Sequence, residues 1–331
     1  MKTRRLGDTD LELSVIGLGT WAMGGGDWGM GWGDQNERDS IDAVYEALEL
    51  GINWIDAAHA YGFGVAEIAV GKAVKEWGGD GVIIATKCGV LPDEDSKPYR
   101  FISRDTIREE VEGSLRRLQV DCIDLYQIHW PEPVENIEES WQTMLDLKAE
   151  GKIRWAGVCN FTEDHLEAAE ALGHVSSSQP MYSLLAREVE QGELDWCADK
   201  NTGLVVYSPM HSGLLTGKVS REWIAGLPDN DWRKHKPDHP VVKYLQEPHL
   251  DAFLDFQEGL ARIAAAGDHT VGQLAVAWTL RRREVTSAIV GARRKGQIAE
   301  TAQAAAWEMT DAEVAAVESA LDAFLTSVGD F

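Results

Sequence analysis

The chain has 331 residues, 44% of them apolar and 26% charged, ordinary proportions for a globular protein with a large core. Its 31 basic and 55 acidic residues leave a formal charge of −24, which argues against a general nucleic-acid or anionic-membrane surface. Cys88, Cys122, Cys159 and Cys197 are widely spaced with no C-x-x-C pair, so neither a zinc knuckle nor a disulfide framework is signalled. No apolar run reaches the roughly 18 residues needed to span a bilayer, and Met1–Arg5 leads into a polar stretch. A cytoplasmic protein without membrane contact is expected.

Residues 3–13 read as a small hairpin around Gly7-Asp8-Thr9-Asp10. Short apolar runs follow at 14–18, 52–56, 82–86, 123–128, 153–158, 175–180, 204–207 and 287–290. Amphipathic stretches alternate with them near 37–50, 66–77, 103–118, 137–150, 163–172, 187–200, 271–283 and 295–305. Asn136 and Thr270, each three residues before Glu139 or Gln273, are placed as helix caps. The segment 211–248 shows no periodicity, and a loop that long inside a compact domain is usually functional or mobile. Thr310-Asp311-Ala312-Glu313 is a capping box that opens a final helix to about 325. Eight strand–helix units predict an α/β chain folded as a (β/α)₈ TIM barrel with an N-terminal β-hairpin and an extra C-terminal helix. With no linker-like stretch, one domain over 1–331 is expected. An open doubly wound sheet would carry G-x-G-x-x-G after its first strand, and Gly17-Leu18-Gly19-Thr20-Trp21-Ala22 lacks the third glycine.

In such barrels chemistry sits at the C-terminal strand ends. Those positions hold Asp56, Tyr61 five residues on, Lys87 and His129. Taken singly, each has a structural reading: a helix cap, a tyrosine bridging core and solvent, a solvated lysine, a satisfied buried histidine. Together they suit carbonyl reduction. A free tyrosine, with pKa about 10, is a poorly matched acid at neutral pH, and a nearby lysine cation can lower it by roughly 1–3 units. Asp56 would hold Lys87 charged and aimed, and His129 would hydrogen-bond the substrate oxygen. Metal chemistry usually needs convergent histidines, and the first strand ends without a His-x-His, so no metal is expected.

The segments Ile55-Asp56-Ala57-Ala58-His59-Ala60-Tyr61-Gly62, Ala85-Thr86-Lys87-Cys88-Gly89 and Tyr126-Gln127-Ile128-His129-Trp130-Pro131 closely resemble the catalytic segments of the aldo-keto reductase superfamily. The resemblance runs on through Gly151–Arg154, Gly157–Phe161, Tyr207-Ser208-Pro209, Gly213–Lys218 and Ile289–Arg293. It implies a barrel that binds NADP(H) without a Rossmann motif and reduces small aldehydes or ketones, with Asp56, Tyr61, Lys87 and His129 as the catalytic tetrad. It further implies that Asn160 and Gln179 hold the nicotinamide carboxamide and that Tyr207 stacks on its ring. Ser208, Pro209, Gly213, Leu215 and Lys218 would grip the pyrophosphate. Gly291, Arg293, Gln297 and Glu300 would line the adenosine end, and Gly19, Thr20, Trp21 and Asp56 would complete the cofactor contacts. Trp21 and Trp130 would wall the substrate pocket beside Tyr61 and His129, with Trp28 and Trp32 either extending that wall or packing structurally.

Arg293-Arg294-Lys295 reads as a solvated helix start or as a 2′-phosphate site; positive charge in a first helical turn opposes the macrodipole and favours the second. Cys159, Thr301 and Ala66 stand where family members commonly have Ser, Asn and Ser. A regulatory NADP(H)-binding subunit with little turnover is the alternative, against which the intact tetrad argues. A monomer or small homo-oligomer is expected.

Overall fold

In the computed structural model, which describes residues 1–78, 81–236 and 239–329, eight parallel strands close into a barrel. They are β1 (Ile16–Gly19), β2 (Trp54–Asp56), β3 (Ile83–Cys88), β4 (Ile123–Ile128), β5 (Ile153–Cys159), β6 (Ser177–Gln179), β7 (Gly203–Tyr207) and β8 (Val285–Gly291). Each pairs with its sequence neighbour, and β8 closes the ring on β1, with Gly291 opposite Gly19. The eight expected strands are all present, with their ends displaced by a few residues.

Side-chain alternation along the strands sorts the interior by height. Trp54, Ala85, Leu125, Val205 and Ile289 form an apolar cluster with Leu6, Leu11 and Leu13 of the N-terminal hairpin. That hairpin, Thr3–Arg5 paired with Glu12–Ser14, therefore plugs the N-terminal end of the barrel. Trp54 fills the centre, donating its indole N–H to Ser14 O at 3.1 Å and Ser287 Oγ at 3.0 Å. Gly17 makes room for it: a Cβ there would lie 2.1 Å from the Trp54 ring. Two residues further along the same strands come Asp56, Lys87, Gln127 and Tyr207, so the polar groups collect at the open end.

Several local expectations are corrected. Asn136 makes no capping bond; its amide reaches across to Ile102 O at 2.7 Å instead. Thr270 and Thr310 do close capping boxes, the latter opening a helix that runs over Asp311–Val328. The helix expected at 187–200 is a 3-10 turn, Glu188–Gln191, and a helix, Glu193–Lys200, broken at Gly192 with φ 154°. The segment 211–248, whose residues 237 and 238 lie outside the described ones, is not featureless. It contains short helices Arg221–Ala225 and Trp232–His235 and 3-10 turns His211–Thr216 and Lys243–Leu245. The helix Leu250–Ala265 was not anticipated, although Leu250, Phe253, Leu260 and Ala264 are spaced to bury one face. It packs against the C-terminal helix, where Phe256 stacks on Phe324 at 4.7 Å. A second hairpin, Val90–Pro92 with Pro98–Arg100, was also missed. No described helix is long and apolar enough to cross a membrane.

Candidate active site

Lys87 is the hub of the open end. Its side chain is buried on β3, and its ammonium spends its donors on Asp56 Oδ2 at 2.6 Å, Ala57 O at 2.9 Å and Tyr61 Oη at 3.1 Å. An ammonium has three protons, so its hydrogen-bonding capacity is filled. Register places these groups: Asp56 on β2 lies opposite Ala85 of β3, and Lys87 lies opposite Gln127 of β4. Tyr61 comes from the turn after β2, where its N–H bonds Ala58 O at 3.1 Å. Asp56 is held from the other side by Gln179 Nε2, 2.9 Å from Oδ1.

Burial opposes a charge on Lys87, yet Asp56, Tyr61 and Cys159 together outweigh it, and the lysine is held above its ordinary range. Burial also dominates at Tyr61. It lifts the hydroxyl well above the usual tyrosine value, with Lys87 pulling down and Asp56 pushing up. Lys87 lowers it, as expected, but Asp56 offsets part of that pull and burial outweighs the remainder, so the net shift is upward. His129, just past β4, is pushed well below its ordinary value by burial and then by Lys87 and Arg100, so it is neutral. Its ring stands edge-on to Tyr61 with centroids 5.9 Å apart, and its buried Nδ1 has no partner among the described residues.

The mouth gathers most of the other candidates. Asn160 donates to His129 O at 3.0 Å and accepts from the Tyr207 hydroxyl at 2.8 Å. Thr20 Oγ1 bonds Asp56 O at 2.9 Å, behind Gly19, where a Cβ would meet Ile289 at 2.7 Å. Trp130 lies under the Arg100 guanidinium at 3.4 Å. Trp28 stands 6.4 Å from Tyr61, whereas Trp21 stacks on Trp232 at 5.6 Å. Trp32 packs edge-on against both.

At the far end, a cavity of about 500 Å³ is lined by Asp34, Gln35, Asn36, Asp39, Arg293, Arg294 and Gln297. Arg293 is half-buried and pushed below its ordinary range by burial, with Arg233 and Arg294 adding to the effect against Asp231 and Asp34. The basic run precedes the helix Gln297–Ala302 instead of forming its first turn, which removes the macrodipole argument. The N–H groups of Arg293 and Arg294 are taken by Gln297 Oε1 at 2.7 and 3.2 Å, so they are not free anion donors. Lys218 and Glu300 lie near each other, paired at 3.2 Å on the surface. Gly291 is exposed at the end of β8. Ser208, at φ 55°, and Gly213, at φ 93°, bracket the buried Pro209 in the turns after β7, while Leu215 is buried in the core and can offer a ligand only its backbone.

Sequence reasoning missed three participants. Gln127 is buried beside Lys87 and Gln179 with Nε2 unpartnered; its two-residue spacing from His129 was the available signal. Arg100 arrives on the missed hairpin. Trp232 sits inside the segment 211–248, where no pattern marks it.

A closed parallel barrel with ionisable groups converging at its C-terminal end has the architecture of a barrel enzyme. The sequence profile of the Aldo/keto reductase family matches residues 15–322, and the chain belongs to that family, whose members are oxidoreductases. It is 38% identical over 324 residues to aldo-keto reductase YhdN of Bacillus subtilis (strain 168), covering 97% of this chain and 94% of the relative. It is 35% identical to the NADH-specific methylglyoxal reductase of Escherichia coli (strain K12), covering 95% and 96%. Among solved structures it superposes on a glycerol dehydrogenase from Gluconobacter oxydans with a TM-score of 0.86, at 34% identity, over 98% and 96% of the two chains.

Proposed function

We propose that the protein reduces small aldehydes and ketones to alcohols with NADP(H), Tyr61 donating the proton. The observation that carries this reading is the chain Asp56–Lys87–Tyr61. Because Lys87 donates to the Tyr61 oxygen, the phenolic proton is left to point elsewhere, toward a substrate oxygen at the mouth. As that oxygen gains charge, a donor already fixed in place stabilises it without reorganisation. Neutral His129 orients the carbonyl beside Tyr61. The relatives named for methylglyoxal and glycerol support a small oxygenated substrate.

The residues present fit a dinucleotide. Gln127 Nε2 is a buried donor with no partner beside Gln179, and the cavity at Arg293 and Arg294 brings two cations together in an otherwise acidic chain. Asn160, Gln179 and Tyr207 would hold the nicotinamide, the 208–218 turns the pyrophosphate, and Arg293 a 2′-phosphate. Gln179 would use its carbonyl side, since its amide nitrogen is committed to Asp56. When bound, the reduced coenzyme supplies the hydride. The purified protein is expected to oxidise NADPH with activated aldehydes such as a nitrobenzaldehyde. Inactivity across a broad carbonyl panel, with coenzyme demonstrably bound, would leave turnover without support.

Coenzyme preference needs its own test, since the E. coli relative is named NADH-specific. A guanidinium recognises a phosphate dianion by charge-assisted bonds, each worth about 1.5–3 kcal/mol. Arg293→Ala is expected to raise the KM for NADPH about tenfold or more and to leave that for NADH nearly unchanged. Equal effects on the two coenzymes would show that Arg293 does not read the phosphate.

A further inference from the structure

Arg293 does more than face the cavity. Its guanidinium holds one loop: Nε donates to Gln35 Oε1 at 3.0 Å, Nη1 to Trp32 O, and Nη2 to Gly33 O at 3.3 Å and to Asp34 O. Gln35 returns a bond to Arg293 O at 2.7 Å. Every one of these acceptors is a neutral oxygen, and the carboxylates of Asp231 and Asp34 act on the cation only through space.

The loop it holds is locked to the turn carrying Trp232. Trp232 N–H bonds Gly31 O at 2.9 Å, Asn230 Nδ2 bonds Asp34 Oδ1 at 2.8 Å, and Trp32 bridges to Asp231. The Arg233 guanidinium lies 4.3 Å over the Trp32 ring while ion-paired with buried Asp231 at 2.7 Å. Both loops end on Trp21 at the mouth. Yet among the described residues no acceptor meets the buried indole N–H groups of Trp32 and Trp232, a cost that a fully settled arrangement would avoid.

We propose that Arg293 is a latch whose release is coenzyme-specific. A 2′-phosphate entering the adjoining cavity draws the guanidinium off the 32–35 carbonyls and loosens the cover through the 230–233 turn, whereas a nucleotide with a free 2′-hydroxyl leaves it seated. The proposal rests on the reading of Arg293 as the phosphate-binding residue. Its physical basis is a difference in bond strength. Both sets of bonds are charge-assisted by the guanidinium, but only the phosphate dianion adds ion–ion attraction to them. The ligand therefore outcompetes the loop, and the loop's release offsets part of the binding energy. The same residue would then set both coenzyme affinity and the mobility of the mouth.

The test uses the whole chain with adenosine 2′,5′-bisphosphate and adenosine 5′-monophosphate. Calorimetry measures binding, and amide hydrogen exchange is followed in 31–35 and 230–233. At saturation the bisphosphate is expected to speed exchange in both segments about tenfold, the loss of roughly one charge-assisted bond, and the monophosphate to leave it unchanged. Arg293→Ala should show the fast exchange without ligand. Gln35→Ala, which removes the loop's side-chain share of the contact, should speed exchange in 31–35 without ligand. Unchanged or slowed exchange, with tight binding that depends on Arg293, would overturn the latch and leave the phosphate reading standing. Bisphosphate binding that is indifferent to Arg293→Ala would overturn both.

Discussion

Tyr61→Phe is expected to abolish carbonyl reduction, lowering kcat by about 10²–10⁴, the usual cost of losing a general acid. Coenzyme affinity should stay nearly unchanged, because among the described residues the hydroxyl bonds Lys87 and its proton is proposed to face substrate. The ring itself is kept, so its packing against Trp28 and His129 survives and folding is not at issue. Steady-state reduction with NADPH, beside a fluorescence titration of coenzyme, separates the two quantities. Retention of more than about a tenth of the wild-type rate would remove Tyr61 from the donor role.

Lys87→Met should be comparably damaging, by a different route. Lys87 is the group that pulls the Tyr61 hydroxyl down against burial and Asp56. Without it the phenol becomes a still weaker acid, and Asp56 becomes a buried carboxylate missing its strongest donor. The sign can be followed in the reverse reaction. Alcohol oxidation needs Tyr61 deprotonated, so its rate should climb with pH, and removal of the cation should move that climb to higher pH. An oxidation profile that keeps its wild-type position in the Lys87→Met protein would show that the lysine does not tune the tyrosine.

Much of the barrel was legible because each strand carries a short apolar run and each following helix a 3.6-residue period. The reading failed where partner choice lies outside the local pattern. Asn136 has a capping residue's identity and position, but its side chain is held by a bond from Nδ2 to Ile102 O, remote in sequence. The 250–265 helix carried its own periodic signal and was passed over beside an irregular segment. At the site, the residue types at strand ends identified the groups, and the strand register brings Asp56, Lys87 and Gln179 into contact. The direction of the Tyr61 shift could not be read from sequence, since it depends on how completely three neighbouring groups are removed from water. The occupancy of Arg293 by the 32–35 loop was hidden for a related reason: its partners are mostly backbone carbonyls, which every residue type possesses.

The filled hydrogen-bonding capacity of Lys87 has a consequence for a member of a family of carbonyl reductases. A primary amine adds to a carbonyl only through its nitrogen lone pair, and lysines at barrel strand ends are well placed for such condensation. Here the nitrogen is kept fully protonated beside Asp56, with all three N–H bonds directed at oxygen. No lone pair faces the mouth. The geometry that aims the lysine at Tyr61 also keeps it from forming an imine with a carbonyl compound.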